Sequence, residues 1–123
     1  MKKVFLDSNV LIKYLAGELI LAKDVDLCIN SVVYSEVLFG ILFSGKSEKF
    51  LNSHLKYLGA EVLPISQNTA VIFTREKIRL RLKGKRLEDF DILIAASCLE
   101  YRLPLWSENK KHFDRIEGIS YYK

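Results

Sequence analysis

The sequence predicts an α/β domain in which a mostly parallel sheet lies between layers of helices. Short apolar runs that are typical of buried strands alternate along the chain with longer segments of helical periodicity. Strands that are connected through helices in this way pair in parallel, with right-handed crossovers. The length of 123 residues, of which 50% are hydrophobic and 28% charged, favours one domain over residues 1–123.

Three strands are predicted in the first half of the chain, and each precedes a helical segment. Residues 4–6 form the first apolar run, after which apolar residues recur at helical spacing up to Gly17. The elements predicted next are a strand at 26–31, a helix through 37–42 that continues as helix over 47–58, and a strand at 60–66. Pro64 indicates that this third strand ends there or lies at a sheet edge.

Two helices and two shorter strands are predicted in the rest of the chain, with a short helix between the strands. Residues 67–83 alternate partly with period 2, but their length and their Arg, Lys, Glu and Leu content favour a helix. Residues 91–101 are apolar nearly all round, which is typical of a helix buried on several sides. The remaining predictions are a strand within 103–109, a short helix at 110–116 and a last strand at 119–122.

Apolar runs and cysteine positions exclude several classes of protein. No uncharged run approaches the roughly 20 residues of a membrane span, and Asp7 and Lys13 interrupt any signal-peptide core. We therefore predict a cytoplasmic protein without membrane contact. Cys28 and Cys98 lie in apolar surroundings without metal-ligand spacing, which predicts buried, reduced thiols rather than a zinc site or a disulfide.

The formal net charge of +4 is concentrated in one stretch of the chain. Residues 75–86 contain seven basic residues and one acidic residue, so the rest of the chain is slightly acidic. This stretch is either a solvated helix face or a surface that contacts the phosphates of a nucleic acid. Its basic residues are Arg75, Lys77, Arg79, Arg81, Lys83, Lys85 and Arg86.

Polar side chains recur where the predicted strands end, and ligands of parallel α/β sheets bind at that edge. Asp7 directly follows the first strand, where by itself it would most simply cap the next helix. Glu36 follows the second strand at the start of a helix; Val at position 33 argues against a capping box, and a solvated helix glutamate is the other interpretation. Asn109 follows the apolar stretch at 104–106, where by itself it would be a turn residue.

Asp91 opens the most apolar of the predicted helices. Glu88 and Asp89 already supply the acids that a helix N-terminus favours, so Asp91 is not needed for capping. Three carboxylates at one sheet edge would repel one another unless a divalent cation lay among them, and Mg²⁺ or Mn²⁺ prefers such oxygen ligands. A metal there can activate a water and stabilise charge on a phosphoryl group. We predict phosphodiester hydrolysis, with the basic stretch binding the polyanion.

Four segments resemble, in their order and spacing, the four motifs of PIN domains, and more narrowly those of VapC-type toxins of bacterial and archaeal toxin–antitoxin pairs. The resemblance covers essentially the whole chain. The segments are FLDSNVLI with Asp7, Ser8 and Asn9; INSVVYSEVLFG with Glu36 and Gly40; GKRLEDFDILIAASCLEY with Leu87 and Asp91; and LPLWSENKKHFDRIEGI with Ser107, Asn109 and Phe113.

This resemblance implies a three-layer α/β/α sandwich with a central, mostly parallel sheet of four to five strands. It also implies a Mg²⁺- or Mn²⁺-dependent endoribonuclease that cleaves single-stranded or looped RNA, forms a homodimer and is inhibited by an antitoxin occupying its groove. The implied catalytic residues are Asp7, Glu36, Asp91 and Asn109, of which the three acids are metal ligands; Ser8, Asn9 and Ser107 support them, and Asp89 is a reserve acid. Glu36 would orient the attacking water, and Ser107 would hydrogen-bond a ligand or a phosphate oxygen.

Two positions depart from the family pattern. Asn109 stands where Asp is frequent, and His112 stands where an acid often precedes the Phe. We expect His112 and His54 to be surface or hydrogen-bonded histidines without a catalytic role, and Trp106 to belong to the core.

Two other functions stay open at this point. A non-catalytic PIN-like scaffold that binds RNA or protein is supported only by Asn109. A phospho-accepting receiver domain has a similar length and an acidic Mg²⁺ site, but it needs two adjacent acids after the first strand, where this chain has Ser8. Metal-dependent cleavage distinguishes the enzyme from the scaffold, and phosphorylation by a small phosphodonor identifies the receiver.

Overall fold

The central sheet is parallel throughout, and its strand order places the end of the first strand in the middle of one edge. The computed structural model describes residues 2–123. Within that range the sheet has the order β3-β2-β1-β4. Its strands are β1 (Lys2–Leu6), β2 (Val25–Asn30), β3 (Glu61–Leu63) and β4 (Leu105–Trp106). Since β1 pairs with both β2 and β4, the residue that follows β1 is flanked by two other strand ends.

Helices connect the strands and flank the sheet, so the predicted α/β sandwich with a parallel sheet is confirmed. The helices within residues 2–123 are α1 (Ser8–Leu15), α2 (Ser31–Phe43), α3 (Glu48–Leu58), α4 (Gln67–Leu82), α5 (Asp89–Tyr101) and α6 (Lys110–Phe113). The predicted helix at 67–83 is confirmed, because α4 covers it almost completely. Within residues 2–123, no helix has the length and apolar character needed to cross a bilayer.

Three details of the sequence-based prediction are wrong. The helical segment that was expected to continue from α2 over 47–58 is broken into two helices, because Gly45 takes a left-handed conformation with φ of 89°. The predicted strand within 103–109 is confined to two residues. The predicted last strand at 119–122 is only an isolated parallel bridge between Leu105 and Tyr121, because so short a β4 offers little backbone to pair with.

The third strand ends as Pro64 predicted. β3 stops at Leu63, and it lies at the edge of the sheet, where a residue without an amide hydrogen breaks no central ladder. The core lies between this sheet and its helices. The apolar residues 4–6 of β1 are fully buried, and so is most of the middle of α5, as expected for a helix buried on several sides.

The two thiols are free and buried, as predicted. Cys28 lies on β2 and Cys98 on α5, and both pack in the same apolar core. Burial raises the pKa of the Cys28 thiol to about 12, because the apolar surroundings disfavour the thiolate. Both side chains therefore act as small core residues rather than as nucleophiles or metal ligands.

Candidate active site

Asp7 is a buried carboxylate at the centre of the carboxyl edge of the sheet. It follows β1 directly and is only 4% exposed. Its Oδ1 accepts a hydrogen bond of 2.8 Å from the Ser8 amide, and its Oδ2 accepts one of 2.7 Å from the Ser107 hydroxyl. Burial raises the pKa of Asp7, and these two hydrogen bonds oppose the rise only in part. Asp7 caps α1, but a cap alone does not require a charge so deeply buried.

Ser8 links the first two predicted acids. Its amide donates to Asp7, while its hydroxyl donates to Oε1 of the half-buried Glu36 on α2. The first helical residue after β1 therefore orients two carboxylates that lie far apart in the sequence. Asn9, the other predicted supporting residue of this motif, is exposed on α1.

Asp91 lies in the first turn of α5, where other acidic side chains surround it. Its pKa is raised by burial and then by the negative charges of Asp7 and Glu36, whereas the charge of His112 lowers it. Asp7 and Glu36 therefore act on Asp91 electrostatically, and both disfavour its ionisation. Such a group of carboxylates is a place where a bound cation would relieve repulsion.

The donor set fits a hard divalent cation that keeps much of its own hydration. Within residues 2–123, no three acidic, histidine or cysteine side chains form a preassembled metal cluster. Mg²⁺ usually retains several waters and contacts only one or two protein carboxylates directly, so it needs no such cluster. Asp7 and Asp91 are the predicted direct ligands. The pKa values of both carboxyl groups are raised, so a bound cation would favour their ionised forms.

The fourth motif supports Asp7 rather than adding another charge. The Ser107 hydroxyl donates a hydrogen bond to Asp7 and accepts one of 2.9 Å from the backbone amide of Asn109. Because its proton is used in this way, Ser107 orients the acid, and its predicted contact with a ligand or phosphate oxygen stays a prediction. The Asn109 side-chain nitrogen lies 2.9 Å from Nδ1 of His112.

Both histidines are hydrogen-bonded, as expected, but their positions differ. His54 lies 3.5 Å from the Tyr14 hydroxyl and packs edge-on against Phe50, away from the predicted acids. His112 is exposed and lies near enough to Asp91 to lower its pKa. No pattern in the sequence predicted that His112 lies near Asp91, because α5 and α6 meet only in the folded chain. Trp106 is half buried, where it packs on the core and against Tyr122.

A groove of about 1170 Å³ runs beside these acids. Basic, acidic and aromatic side chains line it, and they come from α2, α4, α5, α6 and the loops beside α4 and α6. The acidic residues are Glu36, Glu88, Asp89 and Asp91; the basic residues are Lys77, Arg81, Lys85, Arg86 and Arg115; His112 and Phe90 also line it. The groove therefore joins the acidic site to part of the predicted basic stretch.

The seven basic residues of that stretch divide into three groups. Lys77, Arg81, Lys85 and Arg86 line the groove, although Lys77 forms an ion pair of 3.0 Å with Asp89, the reserve acid. Arg79 is engaged within the protein. Its Nε and Nη2 donate to the Glu76 carboxylate, and Nη2 also donates to the Arg115 carbonyl at 2.7 Å. Arg75 and Lys83 are exposed and do not line the groove.

Asn30 is a positioning residue that sequence reasoning missed. It is fully buried at the end of β2, where its Oδ1 accepts a hydrogen bond from the Val33 amide and caps α2. Its Nδ2 donates to the Ser97 hydroxyl at 2.9 Å and to the Leu93 carbonyl at 3.3 Å. Asn30 thereby ties α2, which carries Glu36, to α5, which carries Asp91. A polar residue after the apolar run of β2 was the available signal.

The fold and the site together define an α/β domain with an acidic centre and an adjoining charged groove at the carboxyl edge of a parallel sheet. The profile of the PIN domain family matches residues 4–119. The chain belongs to the PIN domain family, which confirms the family predicted from its four motifs.

Individual relatives agree with this assignment. Ribonuclease VapC1 of Methanocaldococcus jannaschii is 28% identical over 130 aligned residues, which cover 98% of this chain and 87% of the relative. The crystal structure of DNA-bound VapBC from Salmonella typhimurium is similar, with a TM-score of 0.84, 25% identity and coverage of 99% of this chain and 98% of that one. VapBC2 from Rickettsia felis, bound to a promoter DNA fragment, has a TM-score of 0.84 at 22% identity, with 98% and 97% covered.

Proposed function

We propose that this protein is a metal-dependent endoribonuclease of the VapC toxin type, which hydrolyses RNA phosphodiester bonds. The observation that carries the proposal is the buried Asp7 carboxylate, which shares its surroundings with Asp91 and Glu36 beside a groove lined by basic side chains. Charged groups are rarely buried together without a function or a compensating ion. The name of the archaeal relative, a ribonuclease, supports the reaction. Family membership removes the receiver-domain alternative.

The proposed cofactor is Mg²⁺ or Mn²⁺, held by Asp7 and Asp91, with Glu36 as the third acid. Its ligands are all oxygen atoms, as these hard cations prefer. When bound, the ion supplies charge neutralisation at the phosphate and makes a nearby water more acidic. The hydrogen bonds from Ser8 and Ser107 fix the orientation of the Asp7 carboxylate before any ligand arrives.

The side chains around the acids have separate tasks in the proposed reaction. Glu36 holds one oxygen toward the Ser8 hydroxyl, which leaves the other oxygen to orient a water and accept its proton. Arg81, Lys85 and Arg86 bind phosphates along the groove and offset the repulsion between RNA and the acids. Arg115, which lies outside the basic stretch, lines the same groove and adds another basic side chain there.

A cognate antitoxin is the proposed protein partner. The similar structures from Salmonella typhimurium and Rickettsia felis are VapBC complexes, which supports a partner of the same kind for this chain. An antitoxin segment that occupies the groove would exclude RNA from the acids. We also propose that the toxin forms a homodimer, as the family resemblance implies.

The decisive experiment is cleavage of a mixed RNA pool by the purified protein with Mg²⁺, with Mn²⁺ and with EDTA. Asp7→Asn and Asp91→Asn are tested beside the wild type, and Asp24→Asn is the matched control, because Asp24 is exposed just before β2 at the opposite edge of the sheet. We expect cleavage only with metal, only in the wild type and in Asp24→Asn. Cleavage that survives both active-site substitutions would mean that the site is misplaced.

The scaffold alternative rests on Asn109, which replaces a frequent acid. The Asn109 side chain contacts His112 rather than one of the three acids. Asparagine in place of the frequent Asp therefore removes no hydrogen bond from Asp7 or Asp91. RNA binding without cleavage, in every metal condition, would support the scaffold and overturn the nuclease.

A further inference from the structure

Phe90 is an aromatic side chain that the fold leaves in contact with solvent inside the groove. It lies in the first turn of α5 between Asp89 and Asp91, and it is 48% exposed. Phe39 and Phe43 are more exposed than Phe90, but they do not line the groove, so Phe90 is the exposed phenylalanine beside the acidic site. Ile92, two residues later, is buried in the core, so this turn of α5 directs one apolar side chain inward and leaves Phe90 in the groove.

The surroundings of Phe90 suit a nucleotide better than an apolar ligand. Arg81 and Arg86 line the same groove and can contact phosphates, while Asp91 belongs to the acids proposed to act on the phosphodiester bond. A flat apolar face within a groove that also carries phosphate-binding cations is the combination found in single-stranded nucleic-acid sites. An aromatic ring stacks on any base, because every base has a π face.

We propose that Phe90 is a base-stacking platform that holds one unpaired RNA base beside the scissile phosphate. This inference rests on the proposed function and deepens it, because it names a residue that determines which RNA conformation is accepted. Bases within a duplex already stack on their neighbours and cannot lie on the ring without unpairing. The groove therefore prefers a single strand, and the stacked base fixes the register of the chain relative to Asp91.

The test measures RNA binding apart from cleavage. Affinities for a short unstructured RNA are measured by fluorescence anisotropy in EDTA for the wild type, Phe90→Ala, Phe90→Trp and Tyr57→Ala. Tyr57 is the matched control, since it is 80% exposed on α3 and does not line the groove. Phe90→Ala is expected to weaken binding by roughly 5- to 150-fold, the range for one lost stacked base, while Phe90→Trp and Tyr57→Ala retain affinity.

A second arm identifies the base and separates stacking from a general loss of structure. Single abasic nucleotides are placed at each position of the same RNA, and wild-type affinity is expected to fall sharply at one position. At that position Phe90→Ala is expected to show no further loss, because ring and base form one interacting pair in the double-mutant cycle. Additive losses at every position would overturn the proposal, even if Phe90→Ala binds weakly.

Parallel cleavage assays with Mn²⁺ separate this inference from the proposed function. If the wild type cleaves RNA and Phe90→Ala binds and cleaves equally well, the stacking role is overturned while the nuclease stands, and the ring belongs to a protein-binding surface. If the wild type neither binds nor cleaves RNA, both proposals fail. A raised KM with little change in kcat for Phe90→Ala, restored in Phe90→Trp, supports the stacking role.

Discussion

The two ends of α5 carry carboxylates in opposite circumstances. In its last turn, Glu100 accepts hydrogen bonds from the Thr69 hydroxyl at 2.5 Å and from the Ser66 hydroxyl at 3.2 Å. In its first turn, Asp91 faces the negative charges of Asp7 and Glu36. One carboxylate is satisfied by the protein itself, whereas the other is placed among groups that repel it.

This difference shows how the same residue chemistry serves structure and function. Ser66 caps α4 with a complete capping box, so Glu100 binds the start of α4 to the end of α5. Two hydroxyl donors compensate for its partial burial. At Asp91 the chain supplies only the opposing charge of His112, and a bound cation would add further compensation. The comparison predicts opposite consequences when either carboxylate is removed.

The largest expected effect is the loss of activity in Asp91→Asn. RNA cleavage should fall by more than about 100-fold, since the loss of an outer-shell partner alone costs 10- to 100-fold and Asp91 is a proposed direct ligand. The variant should be no less stable than the wild type at neutral pH, because a repelled charge has been removed. Single-turnover rates with metal measure the loss of cleavage, and thermal melts in EDTA measure the stability. A parallel loss of stability would show that Asp91 is structural.

Glu100→Ala should give the reverse pattern. It removes the carboxylate that accepts hydrogen bonds from the buried Thr69 hydroxyl and from the Ser66 hydroxyl, so we expect a loss of about 1–3 kcal/mol in unfolding free energy. Cleavage by the folded protein at low temperature should be unchanged. Urea unfolding measures the loss, with Glu18→Ala as a control, because Glu18 is exposed beyond α1. A stable but inactive Glu100→Ala would contradict the comparison.

Divalent metal should stabilise the wild type and leave Asp91→Asn unaffected. At a Mg²⁺ or Mn²⁺ concentration ten times the dissociation constant, binding to the folded state adds about 1.4 kcal/mol to stability. Thermal melts with and without metal measure the shift, and Asp24→Asn should behave as the wild type does. An equal shift in Asp91→Asn would place the metal elsewhere and weaken the contrast with Glu100.

The smallest expected effect is that the stability difference between Asp91→Asn and the wild type depends on pH. Folding raises the pKa of Asp91 above its ordinary value of 3.8, so between the two pKa values the folded state binds more protons than the unfolded state. This carboxylate therefore makes stability fall as pH rises through that window. The difference in unfolding free energy between Asp91→Asn and the wild type should grow from about pH 3.8 upward, in EDTA. A constant difference would mean that the pKa of Asp91 is not raised.

The fold was largely predictable because its signals are local. Alternating apolar runs and helical spacing predicted the order of the elements, and Pro64 predicted the end of β3. The break at Gly45 had a local signal too, since glycine takes the left-handed conformation easily, but the apolar pattern on both sides concealed it. The prediction of a last strand at 119–122 was wrong because the pairing of this segment depends on the length of β4, which lies elsewhere in the chain.

The sequence by itself determined that Asp7 directly follows β1 and that Glu36 lies on the helix after β2, at the carboxyl edge of the sheet. Asp91 follows no strand, and only the order of the four motifs predicted its place beside them. Tertiary structure alone decided what each of them contacts. Ser107 reaches Asp7 across 100 positions of sequence, and Arg79 donates to the Arg115 carbonyl, 36 positions away, instead of lining the groove. Desolvation and charge repulsion depend on neighbours brought together by folding, so burial and raised pKa values could not be read from local patterns.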